Sequence, residues 1–179
     1  IAPFFTPFIS PLIPSIFKVA GYEMETLPIS DECSCDWGLK YSNNEVCYPA
    51  TLIVGDIVKA FKEGRYDPDN TCVAITQTGG QCRASNYISL IKKALIENGY
   101  THTPILSIAF GSGIDNQQPG FKVNWLKVLP IALAAVLYRD CIAKFYYAAV
   151  VREKKPGQAA KLKDMYLEAA KPLILKNRP

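Results

Sequence analysis

Two short runs rich in β-branched residues, TCVAITQ (71–77) and TPILSIAF (103–110), are separated by a segment far too long for a hairpin. Antiparallel neighbours can be joined by a tight turn, whereas parallel ones need a crossover of a dozen or more residues, usually a helix. The intervening segment supplies one. From roughly Arg83 to Asn98 the apolar residues Tyr87, Ile88, Ile91, Ala94 and Leu95 recur at helical spacing, and Gly99 follows as a stop.

A second helix precedes the first run. PATLIVGDIVKAFK (49–62) has Leu52, Ile53, Ile57, Ala60 and Phe61 at helical spacing, proline in its first turn and Gly64 past its end. DPDN then supplies turn chemistry. Further upstream, SPLIPSIFKVAGY reads as a short helix closed by Gly21, and YEMETLPI as a strand. The order strand, helix, strand, helix, strand predicts an α/β fold with Rossmann-like layers, a parallel sheet flanked by helices on both faces.

From Phe121 onward the pattern is helical, with a break at KKPG. We therefore expect an α/β domain over 1–120 and a C-terminal helical segment over 121–179, packing on that domain or on another part of a longer chain. The start at Ile1, without methionine and on what looks like the end of a strand, makes a piece of something longer the expectation.

With 49% hydrophobic and 20% charged residues in 179, the chain has the composition of an ordered globular protein with a real core. Its net charge of +4 is spread thinly, with a basic surplus only in the last third, which argues a solvated face and no nucleic-acid partner. The longest apolar run, residues 130–151, is interrupted by Arg139, Asp140 and Lys144, so we expect a helix on or in a protein core and no membrane span. The proline-punctuated start lacks the basic region and cleavage site of a signal peptide.

Six unevenly spaced cysteines do not resemble a small disulfide framework, and we expect a cytosolic protein. Cys47 lies just before one helix, and Cys82 just before the next, directly after a strand and the Gly79-Gly80 turn. The carboxyl end of a parallel strand is where such sheets bind ligands, and a helix N-terminus favours anionic sulfur as nucleophile or metal ligand. Gly79 and Gly80 let the backbone approach a bulky group and aim N–H groups at it. The plain alternative is that both cysteines are small buried residues at helix starts.

The remaining cysteines suggest less. Cys33 and Cys35 are expected in an exposed polar loop, DECSCDW, with acidic neighbours that oppose thiolate. Cys72 and Cys141 are expected to pack in a core. His102, the sole histidine, falls in a surface turn, and neither a dinucleotide fingerprint nor a phosphate-binding loop is present.

Two strings, SNNEVCYPATLIVGDIV and ITQTGGQCRASNYISLIKKAL, resemble the iron–sulfur part of large proteins related to 2-hydroxyacyl-CoA dehydratases and their CoA-substrate-specific activases. The resemblance runs from about residue 38 to 155 and also takes in TPILSIAF and KVNWLKVLPIALAAVLYRD. It implies an anaerobic system in which an ATP-hydrolysing activase passes one low-potential electron to a partner with cysteine-ligated [4Fe–4S] chemistry, acting on acyl-CoA substrates. By motif position it makes Cys47 and Cys82 the matching candidate ligands. Two cysteines leave such a cluster short, so further ligands must come from the unmatched cysteines, other domains or a second subunit. Arg83 would hold an acidic substrate or stabilise a reduced cluster by charge. Asn86 and Tyr87 would donate hydrogen bonds to sulfur, or simply start the helix. Without an ATP-binding motif, the chain by itself is expected neither to hydrolyse ATP nor to dehydrate a substrate. The other reading is a metal-free docking domain whose helical last third supplies the surface.

Overall fold

The computed structural model describes residues 1–43, 45–77, 86–109 and 121–176. Among these it is mixed α/β and mostly helical. Six helices, α1 (Ile13–Val19), α2 (Glu32–Tyr41), α3 (Tyr48–Lys62), α4 (Tyr87–Glu97), α5 (Trp125–Val150) and α6 (Gln158–Leu175), accompany the strands β1 (Val73–Gln77) and β2 (Ile105–Ala109). The strands pair in parallel, Val73 with Ile105 through Gln77 with Ala109, with α4 in the crossover. Gly21, Gly64 and Gly99, expected to end helices, all carry positive φ.

The chain divides into two compact units. One holds Ile1–Phe4 and Leu27–Phe121; the other holds Phe5–Thr26 and Lys122–Pro179. Phe5–Thr26 belongs with the C-terminal helices in the second unit. Leu12, which precedes its short helix α1, and Ile16 within it enter an apolar cluster with residues of α5 and α6, which removes them from water.

In the α/β unit, Val73, Ala74 and Ile75 are all buried, as befits a strand covered on both faces. Beside β1 runs the chain start: the Ile1 amino group donates to the Cys72 carbonyl at 2.7 Å and the Ala74 N–H to the Ile1 carbonyl at 2.7 Å, which is the bonding pattern of a parallel pair. The strand expected over YEMETLPI shrinks to one bridge, in which the Leu27 N–H donates to the Ala2 carbonyl at 2.8 Å. The adjacent segment, Ile1–Phe4, is too short within this unit to offer a longer ladder.

The largest departure from the sequence reading is α2. The expected loop DECSCDW is the first part of this helix. Asp31 caps it by accepting from the Ser34 N–H at 2.9 Å, while the Ser34 hydroxyl accepts from the Asp31 N–H at 3.2 Å, a reciprocal capping box. The helix then lies backbone to backbone against α3. A Cβ at Gly38 would collide with the Thr51 carbonyl, and one at Gly55 with the Ser34 carbonyl. The Ser42 hydroxyl donates to the Gly38 carbonyl at 2.6 Å and bonds Thr51 Oγ1 at 3.2 Å, so the buried polar atoms of the contact are satisfied.

A charged cluster closes the other end of this helix pair. Lys59 donates to Asp31 at 2.5 Å, and that bond, with the two from Ser34, lowers the Asp31 carboxyl from 3.8 to about 2. Asp56 is buried and accepts from the Ser30 hydroxyl at 2.6 Å; burial nevertheless raises its pKa. In the second unit, both carboxylate oxygens of Glu153 accept from the first turn of α6, from the N–H groups of Gly157 and Ala159 at 2.9 and 2.8 Å.

Two outcomes follow from the α2–α3 pair. Gly55→Ala gains roughly 1 kcal/mol of helix propensity but forces rigid backbones apart, so a net loss of about 2 kcal/mol is expected as a lower urea midpoint; an unchanged or higher midpoint would show that the helices separate freely. Asp31→Asn keeps a capping oxygen and removes the charge. Because the native carboxyl is depressed, its contribution is complete above about pH 4 and is lost as the pH falls toward 2. The urea midpoint of the parent chain should therefore exceed that of the variant at pH 6 and converge on it near pH 2; parallel curves would rule the Lys59 pairing out as the cause.

Candidate functional site

Cys47 is the N-cap residue of α3, with φ −58° and ψ 139°. Its carbonyl accepts from the N–H groups of Ala50 and Thr51 at 2.9 and 3.4 Å, while its thiol makes no cap bond and is half-buried. Pro49 in the first turn lacks an N–H, which suits a position where that group would have no helical partner. The thiol thus sits, free of a disulfide, at the positive end of a 15-residue helix. The α2–α3 backbone contact at Thr51 lies one turn further along the same helix and fixes this end of α3.

Cys82, Gly79, Gly80 and Arg83 lie outside the described residues. By chain order they fall between the carboxyl end of β1 and the start of α4. Asn86 is described: it is the exposed N-cap residue of α4, and its side chain makes no cap bond. Among the described residues no hydrogen bond joins Cys47 to Asn86, and no group of three His, Cys, Asp or Glu side chains could hold a metal ion. The described residues therefore supply one thiol of the expected donor set.

The other cysteines depart from expectation. Cys33 and Cys35 stand on the first turns of α2, Cys33 exposed and Cys35 half-buried. The neighbouring Cys35 raises the Tyr48 phenol above its ordinary value. Cys35 thus lies beside the residue that follows Cys47, a proximity that the loop reading missed. Its signal was present in the sequence: Asp31 followed three residues on by Ser34, then Ser34, Gly38 and Ser42 at four-residue spacing, mark a capped helix with a small-residue face.

Cys72 and Cys141, expected in a core, are both exposed. Cys72 precedes β1, and its backbone carbonyl, not its side chain, makes the contact with Ile1. Cys141 lies on α5 next to the buried Ile142 and lines an open groove of about 490 Å³ with Leu162, Lys163 and Tyr166 of α6. His102 is exposed in the turn before β2, as expected, and lines a cavity of about 320 Å³ with Lys92 and Tyr100 at the amino end of that strand. That is the end opposite to the one where parallel sheets bind ligands.

Among the described residues no helix is long and apolar enough to cross a membrane. No protein-family model, no curated protein and no solved structure matches the chain.

Proposed function

We propose that the α/β unit is an iron–sulfur electron-transfer domain of a cytosolic dehydratase and activase type of system acting on acyl-CoA substrates, with Cys47 and Cys82 as ligands of a [4Fe–4S] cluster. The observation that carries it is the free, half-buried thiol of Cys47 at the N-terminus of α3, in the CYPA motif on which the resemblance rests. The second motif, QTGGQCR, begins where β1 ends, and β1 is buried between the chain start and β2 as the central strand of a Rossmann-like parallel sheet would be. Such a cluster supplies a one-electron carrier of low potential.

The chain's own residues then have defined tasks. The helix N-terminus stabilises negative charge on Cys47, and the glycines before Cys82 admit a bulky inorganic group. Arg83 would balance charge, and the Asn86 amide, which makes no capping bond, would be available to donate to sulfur. Remaining ligands come from other domains, a partner subunit or the cysteines outside the motifs, and the physiological partners are an ATP-dependent activase and an acyl-CoA dehydratase component.

A second reading, a metal-free docking domain, is favoured by one observation: α5 leaves Leu126, Leu129, Leu133 and Leu137 exposed. Anaerobic reconstitution with iron and sulfide separates the two. Iron and sulfide in comparable amounts, with a dithionite-reduced paramagnetic signal that Cys47→Ala/Cys82→Ala abolishes at unchanged helical content, is the expected result. Equal loading of parent and double variant would overturn the ligand assignment; if neither loads, the same assay on the full-length parent separates missing ligands, where the longer protein loads, from docking, where it does not.

A further inference from the structure

A helix that is apolar on all sides needs burial on all sides, and α5 has it on one. Val128, Ile131, Ala135 and Ile142 are buried, in the cluster shared with α1 and α6. At about 100° per residue, Leu126, Leu129, Pro130, Leu133 and Leu137 fall within an arc of roughly 100° on the opposite side. The four leucines are 92%, 54%, 58% and 59% exposed. Between Lys127 and Arg139 no charged residue interrupts this face. A contiguous patch of this kind on a water-facing helix marks an association surface.

The charges at its ends say which occupant fits. We propose that this face of α5 is a self-association surface, on which a second copy of the chain lays its own α5 antiparallel across a two-fold axis, with Leu126 opposite Leu137 and Pro130 opposite Leu133. In that register the charge-free stretch meets only itself. At each end Lys122 of one copy comes beside Asp140 of the other, whose carboxylate is half-exposed and already carries Arg139 at 3.2 Å. Lys144, which shares the apolar arc, falls beyond the start of the opposing helix. A parallel pair would instead set Asp140 against Asp140 and Lys144 against Lys144, and like charges at a closing apolar interface are costly. The pairing is isologous, each copy offering the same patch, as closed dimers require.

This inference is independent of any cluster, and its test needs none. Sedimentation equilibrium of the full chain across micromolar to hundred-micromolar concentrations should show a species of twice the 19.8 kDa chain mass. Leu133→Glu should raise the dissociation constant at least tenfold while leaving unchanged the helical content and the urea midpoint measured at concentrations where the parent is monomeric. For orientation, Leu126→Cys and Leu137→Cys chains are oxidised separately and as an equimolar mixture. The mixture should give disulfide-linked dimer well above the background that either variant gives alone, since the two positions face each other only between antiparallel copies. A monomer at every concentration, a Leu133→Glu chain that still dimerises, or cross-linking no greater in the mixture would each overturn the proposal.

Discussion

The α/β unit depends on a backbone contact that side chains could not make. At Gly38 and Gly55 the helices α2 and α3 approach until carbonyls of each occupy the space where a Cβ would stand on the other. This closeness lets Ser42 and Thr51 satisfy each other inside the contact, and it lets Lys59 reach Asp31 at the far end. Because α2 and α3 run antiparallel, the same pair holds the start of α3 and thus the backbone of Cys47. Behind it, Val54, Ile57, Val58 and Phe61 turn the opposite face of α3 toward Val73, Ile75, Ile91 and Leu95, joining the helix pair to the sheet.

That arrangement explains how an amphipathic helix can hold the residue at its start in a fixed place. Polar small residues on one side and branched apolar residues on the other leave α3 no freedom to rotate, so its N-terminus has a defined direction. Tyr48, the first residue of α3, also lies beside Cys35 of α2. The two aspartates of the neighbouring cluster show how environment divides one residue type: Asp31, exposed and bonded to Lys59, is strongly acidic, while burial pushes Asp56 the other way.

The second unit is built on a different principle. Its core gathers Phe8, Leu12 and Ile16 from near the chain start with Val128, Ile131, Leu167 and Ile174 from the last third. Three helices can enclose only one stripe of a helix as apolar as α5. The leucines on its other side therefore remain exposed, and the unit is complete as a packed core while still presenting an apolar surface.

The sequence by itself determined the elements whose signal is local: α3 and α4 through apolar spacing and glycine stops, β1 and β2 through β-branched runs, and their parallel pairing through the length of the crossover. It determined too that Cys47 begins a helix, since Pro49 and the periodicity after it leave no other boundary. Tertiary structure alone decided what depends on a distant partner. Helix α2 announces itself in the sequence only by its Asp31–Ser34 cap and the spacing of Ser34, Gly38 and Ser42, and what that small face packs against was decided by α3. The expected strand before it shrank to a single bridge for want of backbone to pair with. Phe5–Thr26 joined residues more than a hundred positions away, and Cys141 faces solvent because an all-apolar helix carries no record of which side will be covered. Local propensity is written residue by residue, whereas burial belongs to pairs of surfaces that only the folded chain brings together.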